Sequence, residues 1–442
     1  MGAWNRLTQK VEQIEPISAQ GRVSKIVGLM VEAAGPRASV GEYCHIIGRN
    51  GQELPAEVVG FRDSITLLMP LGELEGIAPG DRVIPQHQKL TVAVGPGLLG
   101  RILDGLGHPM DDRPLVSETA YPLQNKPPNA LLRPRIRDTL SVGVRTIDGI
   151  LTIGRGQRMG IFAGSGVGKS TLLGMMARNT VAEINVIALV GERGRELRDF
   201  IEKDLGPEGL ARSVIIVATS DQPALVRLKA AFTATAIAEY FRDQGKDVLL
   251  MMDSVTRFAM AQREVGLTVG EPPATRGYPP SVFALLPKLL ERSGMAEIGS
   301  ITGIYTVLVD GDDHNEPIAD SVRGILDGHI VLTRELAMQN QYPAIDILQS
   351  VSRVMNDVIS LEHKAIAKVV REHLAVYRDA KDLIDIGAYT PGSNSKIDAA
   401  IEHMDRIQEF IRQGVDEHAG FKEMLLQMQQ IIQPSTLATV PR

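Results

Sequence analysis

The sequence is poor in several features that would point to particular protein classes. Among its 442 residues there is a single cysteine, Cys44, so no disulfide can form within the chain, and a reducing compartment suits it. Aromatic residues make up only 4% of the chain, which predicts a mainly aliphatic core. No apolar run approaches the roughly 18 residues that cross a bilayer, and the first ten residues lack the apolar segment of a secretion signal. We therefore expect any membrane role to depend on partners.

The chain also lacks an excess of positive charge. It has 47 Lys and Arg against 53 Asp and Glu, a net charge of −6. Proteins that bind nucleic acid through a large basic surface show the opposite balance. The 44% of hydrophobic residues is ordinary for a folded protein, and the length allows two or three domains. Composition thus argues against a large nucleic-acid-binding surface and leaves a local patch open.

Patterns of apolar residues divide the chain into segments. Near the start, Trp4, Leu7, Val11 and Ile14 form one stripe of a short helix, which either packs on its own domain or docks a partner protein. Residues 20–90 contain short runs rich in Val and Ile, separated by Gly, Asn and Pro turns. This composition predicts a small all-β barrel or sandwich.

A Pro-rich, extended connection over residues 105–135 leads into an alternating region. From about residue 140 to 355, apolar strand runs alternate with helical stretches, the pattern of an α/β domain with a mainly parallel, buried sheet. Beyond it strands disappear, and helical patterns cover residues 356–386, 395–413 and 418–431. The predicted fold class is therefore multidomain α/β, with a small N-terminal β module, a central α/β domain and a C-terminal helical domain.

Residues 163–170, AGSGVGKS, contain the clearest chemical signal. They lie between a predicted strand and a predicted helix, the context of a P-loop that binds ATP. Glycines there let backbone N–H groups approach phosphate oxygens, and the helix N-terminus adds the positive end of its dipole. Lys169 is expected at the β- and γ-phosphates, and the Ser170 hydroxyl at Mg²⁺. The predicted nucleotide contacts are Ala163, Gly164, Ser165, Gly166, Val167, Gly168, Lys169 and Ser170.

Charged residues that follow other predicted strands are the remaining candidates. Asp253 ends the strand VLLMMD, where it either holds magnesium through water or caps the next helix. Glu192, in GERGRE, can polarise the water that attacks the γ-phosphate, and Arg193 beside it can stabilise transferred charge. The same turn is equally consistent with a charged surface loop. Arg353, in SVSRVM, is a surface residue, an ion-pair partner or an arginine finger.

Five stretches, taken in order, establish a family resemblance. AGSGVGKS, VGERGRE, VLLMMDSVTRFAMAQRE, VDGDDHNEPI and YPAIDILQSVSR resemble the hexameric rotary ATPases, which include catalytic subunits of ATP synthase and the ATPases of flagellar and virulence type III secretion. The resemblance covers about residues 20–440. The stretch TIDGILTIGRGQRMGIFAGSGVGKSTLLGMMARNT looks most like the flagellar protein-export branch. The implied function is Mg²⁺-dependent ATP hydrolysis that energises protein export.

The resemblance implies catalytic roles at matching positions. Glu192 matches the family's water-activating glutamate, and Arg193 follows it as in catalytic subunits. Lys169 lies in the family's P-loop, and Asp253 matches the acid that ends the second motif strand. Arg353 matches an arginine that reaches into a neighbouring subunit's site, so the resemblance favours the arginine-finger interpretation.

Three further residues are implied at the nucleotide. Thr171 would lie near the α-phosphate, and Tyr342 would stack near the adenine. Phe410 aligns loosely with a second adenine contact. One departure concerns the loop IDIGAYTPGSNSKID, which lacks the acidic cluster that pushes on the central stalk in ATP synthase beta subunits. The contact that passes force to a central partner would therefore differ from the one in the beta subunit.

The resemblance also implies an architecture and partners. A partner-binding helix would occupy residues 1–19, a β-barrel 20–92, a RecA-like P-loop domain 93–355 and a helical domain 356–442. Six copies would form a homohexamer with sites at the interfaces. Its partners would be a regulatory protein at the N-terminal helix, a stalk-like protein in the ring centre, export chaperones with their substrates, and a membrane export gate. Nucleic acid would not be a partner. The location would be cytoplasmic, at the inner face of the membrane.

Three other functions are alternatives to a flagellar export ATPase. A virulence type III secretion ATPase would use the same chemistry. A non-catalytic nucleotide-binding subunit of a rotary ATPase typically has Gln where Glu192 stands. A hexameric nucleic-acid motor would need a basic, aromatic-lined N-terminal module, whereas residues 20–90 contain few aromatics, among them Tyr43 and Phe61. The sequence therefore favours a catalytic export ATPase.

Overall fold

The fold is given by a computed structural model that describes residues 20–111, 113–309, 311, 313 and 315–432. The helix predicted at residues 1–19 lies outside these residues. Within the described part of the chain, no helix combines the length and apolar character needed to cross a membrane. One hydrophobic cluster fills an N-terminal barrel, and two others cover the opposite faces of a central sheet.

Six antiparallel strands form the N-terminal barrel. They are β1 (Gly21–Val27), β2 (Met30–Ala34), β3 (Glu42–Ile47), β4 (Glu53–Arg62), β5 (Ile65–Pro70) and β6 (Arg82–Lys89). The barrel closes in the order β1-β2-β5-β4-β3-β6, since β1 also pairs with β6. Alternate residues point inward, and side chains such as Val31, Ile46, Val58 and Leu68 are fully buried. Cys44 is buried with them. The predicted β module is therefore a closed barrel.

Eight strands form the main path of the central sheet, which runs in the order β17 (Ile345–Ser352), β16 (Gly328–Leu332), β10 (Arg158–Ala163), β15 (Ser300–Leu308), β13 (Asp247–Asp253), β11 (Ile184–Val190), β12 (Ser213–Ala218) and β8 (Arg101–Asp104). Neighbours along this path are parallel except β16 and β17, and a short ninth strand pairs antiparallel with β15. Both faces of the inner strands are covered, so these strands are mainly apolar. The short ninth strand is β14 (Gly294–Met295).

Two strands lie in segments where the sequence pattern shows none. The edge strand β8 precedes the predicted start of the alternating region near residue 140, yet it pairs with β12 in parallel. Inside the predicted extended connection, β9 (Thr119–Pro122) pairs with β7 (Thr91–Val94). Strands of four residues are too short for a clear period of two, and their pairing comes from distant chain segments.

Helices cover both faces of the sheet and form the C-terminal end. They are α1 (Arg145–Ile150), α2 (Lys169–Asn179), α3 (Gly194–Asp199), α4 (Gly206–Ala211), α5 (Ala224–Asp243), α6 (Val255–Val269), α7 (Pro280–Leu290), α8 (Pro317–Ile325), α9 (Arg334–Met338), α10 (Met355–Val358), α11 (Leu361–Asp385), α12 (Ser395–Ile411) and α13 (Phe421–Ile432). A π-helical turn, Phe200–Leu205, joins α3 to α4. The predicted fold class, a barrel followed by a mainly parallel α/β sheet and a helical end, is confirmed.

Candidate nucleotide site

The P-loop leaves the carboxyl end of β10 and enters α2. Ala163 is the last residue of the strand, and Lys169 is the first residue of the helix. Gly166 and Gly168 have φ angles of 78° and 84°, which favour glycine over residues with a side chain. A methyl group at Gly166 would meet nothing within 4 Å, so the loop is open on that side. An open loop of backbone N–H groups at a helix N-terminus suits a phosphate chain.

Within the loop, side chains divide between the core and solvent. Val167 is 1% exposed and anchors the loop in the core. Ser165 and Ser170 are exposed, so the Ser170 hydroxyl is accessible to a metal ion. Thr171, the third residue of the helix, interacts with the Asp204 carboxylate. The predicted loop residues thus lie where a nucleotide can reach the backbone and the Ser170 hydroxyl.

Lys169 meets two carboxylates that arrive from other strands. Its Nζ lies 2.6 Å from Asp253 Oδ1, at the end of β13, and 3.7 Å from Glu192 Oε1, beyond the end of β11. Because β10, β11 and β13 are parallel, their carboxyl ends lie at one edge of the sheet. The structure therefore brings together the residues that the sequence predicts to bind phosphate (Lys169), to hold the metal ion (Asp253) and to activate water (Glu192).

Thr306 is a member of this cluster that the sequence analysis missed. Its hydroxyl, on the neighbouring strand β15, donates to Asp253 Oδ1 at 2.7 Å. Lys169 and Thr306 thus both engage the same oxygen and orient the carboxylate. Among the described residues, Oδ2 of Asp253 receives no comparable donor. A threonine in an apolar strand has no local signal of this role, because its partner lies 53 residues away.

Glu192 is held in a partly buried position by a glycine turn. Gly191 has a φ of 73°, and a methyl group there would approach Arg257 Cβ to 2.9 Å, so the turn requires glycine. Burial raises the pKa of Glu192 to about 7, with Asp253 and Glu196 adding to the rise and Lys169 opposing it. Its buried Oε1 has no hydrogen-bond partner among the described residues. A carboxylate with a free oxygen and a pKa near neutrality suits a proton acceptor for water.

The structure does not bring Arg193 or Arg353 to this cluster. The Arg193 side chain is 83% exposed and pairs with Glu196 at 3.7 Å. Arg353 follows β17 and is exposed. Its backbone N–H donates to Asp327, and its guanidinium forms no hydrogen bond or ion pair with the described residues. Both arginines can therefore act on a phosphate group only across a subunit boundary or after a movement.

Tyr342 borders the loop, whereas Phe410 does not. A methyl group on Gly168 would lie 3.4 Å from Tyr342 Cε1, so the aromatic ring covers this glycine. Tyr342 is 42% exposed, which leaves ring surface for a base. Phe410 is 4% exposed and packs beneath Gly149 in the core. In this arrangement the Phe410 ring has little exposed surface, and its role as a second adenine contact stays a prediction.

The residues present fit a magnesium ion and a nucleotide. The Ser170 hydroxyl and the Asp253 carboxylate are oxygen ligands of the kind that Mg²⁺ prefers. The Glu192 Oε1 atom, 3.7 Å from Lys169 Nζ, receives no hydrogen bond from the described residues, and the cradle at Gly166 has room that a side chain would fill. Ser170 and Asp253 are thus the residues that would hold the ion.

Family comparisons agree with this geometry. The profile of the ATP synthase alpha/beta family, nucleotide-binding domain, matches residues 143–352, and the beta-barrel domain of the same family matches residues 23–86. The chain is 56% identical over 419 residues to the flagellum-specific ATP synthase of Bacillus subtilis, covering 94% of this chain and 95% of that one. The chain belongs to the ATP synthase alpha/beta family.

Within this family the export ATPases are well represented among the relatives. The profile of the T3SS EscN ATPase C-terminal domain matches residues 359–430. The type 3 secretion system ATPase of Xanthomonas euvesicatoria is 53% identical, with 92% of each chain covered. The structure of the assembled ATPase EscN from the type III secretion system of enteropathogenic E. coli superposes with a TM-score of 0.89 at 47% identity, covering 93% of this chain and all of that one. A second structure contains EscN in complex with its central stalk EscO.

Proposed function

We propose that this member of the family is an ATPase that hydrolyses MgATP in a ring of six identical subunits and energises flagellar type III protein export. The observation that supports hydrolysis most directly is the convergence of Lys169, Asp253 and Glu192 at one edge of the sheet. Relatives named as flagellum-specific ATP synthases and type 3 secretion system ATPases support the export function.

In this proposal the loop binds the nucleotide and Lys169 neutralises charge. Backbone N–H groups of residues 163–170 hold the phosphate chain, while Lys169 moves from Asp253 toward the β- and γ-phosphates. Thr171 lies near the α-phosphate, and the Tyr342 ring stacks on the adenine beside Gly168. When bound by Ser170 and Asp253, Mg²⁺ supplies Lewis-acid stabilisation of the phosphate oxygens.

Glu192 is the proposed acceptor of the water proton. Its Oε1 is buried and free of hydrogen bonds to the described residues, so it can orient a water for in-line attack on the γ-phosphate. The raised pKa of about 7 means that a modest change of surroundings decides whether the carboxylate is charged. In this scheme the exposed turn closes over the nucleotide, and Arg193 then stabilises the negative charge of the transferred phosphoryl group.

The proposed ring completes the site with Arg353 from a neighbouring subunit. Arg353 is exposed and unpartnered among the described residues, which suits a residue that acts across an interface. EscN, whose structure this chain resembles, is described as assembled. An arginine supplied in trans adds positive charge to the transition state of γ-phosphoryl transfer.

Partners of the ring are proposed from the same likeness. EscN forms a complex with its central stalk EscO, and we propose that a stalk-like protein occupies the centre of this ring as well. The other proposed partners are a regulatory protein at residues 1–19, export chaperones with their substrates, and a membrane export gate. We propose no nucleic-acid partner. The location is then cytoplasmic, at the inner face of the membrane beside the export apparatus.

One substitution tests the catalytic assignment. Glu192→Gln keeps the shape of the side chain and removes its capacity to accept a proton. We expect phosphate release to fall on the order of a hundredfold or more, while a fluorescent ATP analogue still binds. Glu202→Gln, at an exposed side chain in the π-helical turn Phe200–Leu205, serves as the control and should hydrolyse ATP normally. Near-normal turnover by Glu192→Gln would show that the glutamate is not the base.

A further inference from the structure

A buried glutamine connects the C-terminal helices to the nucleotide site. Gln413 follows α12 and is 5% exposed. Its backbone N–H donates to the carbonyl oxygen of Tyr342 at 2.9 Å. Because the Tyr342 ring covers Gly168, the position of residue 413 affects where this ring lies over the P-loop.

The side-chain amide of Gln413 is fully engaged. Its Oε1 accepts from the backbone N–H of Arg145 at 2.8 Å, and its Nε2 donates to the carbonyl oxygens of Gly143 at 2.9 Å and Glu417 at 2.8 Å. A buried amide whose donors and acceptor are all paired has one preferred orientation. Gln413 thus joins the segment before α1, the segment before β17 and its own loop.

The loop of residues 412–417 has two more attachments to the nucleotide-binding part of the chain. Arg178, near the end of the P-loop helix α2, donates to the carbonyl oxygen of Val415 at 2.7 Å. The Arg145 guanidinium pairs with the Glu417 carboxylate and donates to the Phe410 carbonyl oxygen at 3.0 Å. The loop therefore contacts the C-terminal end of the P-loop helix and the backbone of Tyr342.

We propose that Gln413 is a positioning residue that sets the Tyr342 ring over the P-loop and so couples the C-terminal helices to recognition of the nucleotide base. This inference rests on the proposed function. Gln413 acts through Tyr342 and touches no phosphate group, so it should affect ligands that carry a base and spare those that do not. Displacement of α12 by a partner would then change the binding of the base.

Binding measurements on the full-length chain test this coupling. Dissociation constants of MgATP and of magnesium tripolyphosphate are measured by competition against a fluorescent ATP analogue. For Gln413→Ala we expect the MgATP dissociation constant to rise about tenfold, with that of tripolyphosphate unchanged and KM more affected than kcat. Gln413→Glu keeps the volume but places an oxygen opposite two carbonyl oxygens, and should act similarly. The neighbouring Arg412→Ala, at an exposed side chain, is the matched control.

A double substitution separates positioning from general destabilisation. If Gln413 acts through Tyr342, the double variant Gln413→Ala/Tyr342→Ala should bind MgATP no more weakly than Tyr342→Ala alone. Unchanged MgATP affinity in both Gln413 variants, or equal weakening of MgATP and tripolyphosphate, would overturn the inference. A wild-type chain that binds MgATP without hydrolysing it would refute the proposed function, and the comparison of the two ligands would still decide the role of Gln413.

Discussion

At the scale of single residues, the charge on Glu192 is the most sensitive feature of the site. Burial is the main cause of its raised pKa, and the neighbouring carboxylates Asp253 and Glu196 act in the same direction. Lys169 opposes them from 3.7 Å. A base of this kind is inactive when protonated, so hydrolysis should depend on pH in the neutral range.

We predict that kcat/KM for MgATP falls as the pH is lowered through about 7. The protonated form of Glu192 predominates below its pKa and cannot accept the water proton, whereas the carboxylate predominates above it. Glu196→Gln removes a negative charge that raises this pKa, so its profile should shift toward lower pH. The measurement is kcat/KM between pH 5.5 and 8.5 for both chains.

Comparing the two chains separates the titration of the enzyme from the titration of its substrate. The terminal phosphate of ATP titrates in the same range, but it contributes equally to both profiles. Superimposable profiles for the wild-type chain and Glu196→Gln would contradict the electrostatic coupling. If kcat/KM did not fall at low pH, the role of Glu192 as a base would be contradicted.

At the scale of elements, a buried ion pair joins the barrel to the central domain. Lys229 on α5 pairs with Glu57 on β4, and both side chains are almost completely buried. They lie beside a cavity of about 430 Å³ that is also lined by Phe232 and Val58. Two opposite charges in such surroundings stabilise each other, and removal of one leaves the other buried without a partner.

We predict that Lys229→Met destabilises the chain by about 3–5 kcal/mol, because the Glu57 carboxylate is left buried and unpaired. The paired substitution Lys229→Met/Glu57→Leu should recover most of that loss, since neither charge remains. Urea unfolding followed by circular dichroism measures both. The exposed pair of Arg198 and Glu202, 2.7 Å apart, provides the control.

Arg198→Met should leave the unfolding midpoint nearly unchanged, because water already solvates both partners of that pair. A Lys229→Met chain as stable as the wild type would show that the barrel contact does not depend on this ion pair. If the double substitution were no better than the single one, the cost would come from lost packing rather than from an unpaired charge.

At the scale of the whole molecule, the described chain does not contain every proposed catalytic group at one site. Lys169, Asp253 and Glu192 lie together, but Arg353 is exposed and has no partner among the described residues. An arginine that completes a site from the next subunit explains this arrangement. The unit of activity would then be the interface between two subunits.

We predict that Arg353→Ala lowers kcat about a thousandfold or more, the usual contribution of an arginine finger. Activity should return when Arg353→Ala subunits are mixed with inactive Lys169→Ala subunits, because each supplies what the other lacks. In an equal mixture about a quarter of the interfaces in a closed ring combine an intact loop with an intact arginine. Phosphate release by each variant and by the mixture is the measurement.

Dilution provides the control for the mixing experiment. Specific activity of the wild-type chain should rise with protein concentration as subunits assemble, and the rescue should follow the same curve. Full activity of Arg353→Ala alone would remove the residue from the mechanism. A specific activity independent of concentration would contradict a shared site.

Much of the site could be predicted because its signals are local. The P-loop is a contiguous run, and the turn it forms needs Gly166 and Gly168 at positive φ whatever surrounds it. Asp253 and Glu192 follow apolar strands, and parallel strands bring their carboxyl ends to one edge. The edge strand β8 was missed, since four residues show no reliable period and its pairing with β12 is decided elsewhere in the chain.

The sequence by itself determined the order of barrel, α/β sheet and helices, and the chemistry of the phosphate end, because periodicity and glycine turns act over neighbouring residues. Only the tertiary structure decided which distant side chains meet. It placed Thr306 on Asp253, Gln413 behind Tyr342, and Phe410 in the core. Such contacts depend on how helices and strands pack, and a hydrogen bond between residues 71 positions apart leaves no trace in the local pattern of either segment.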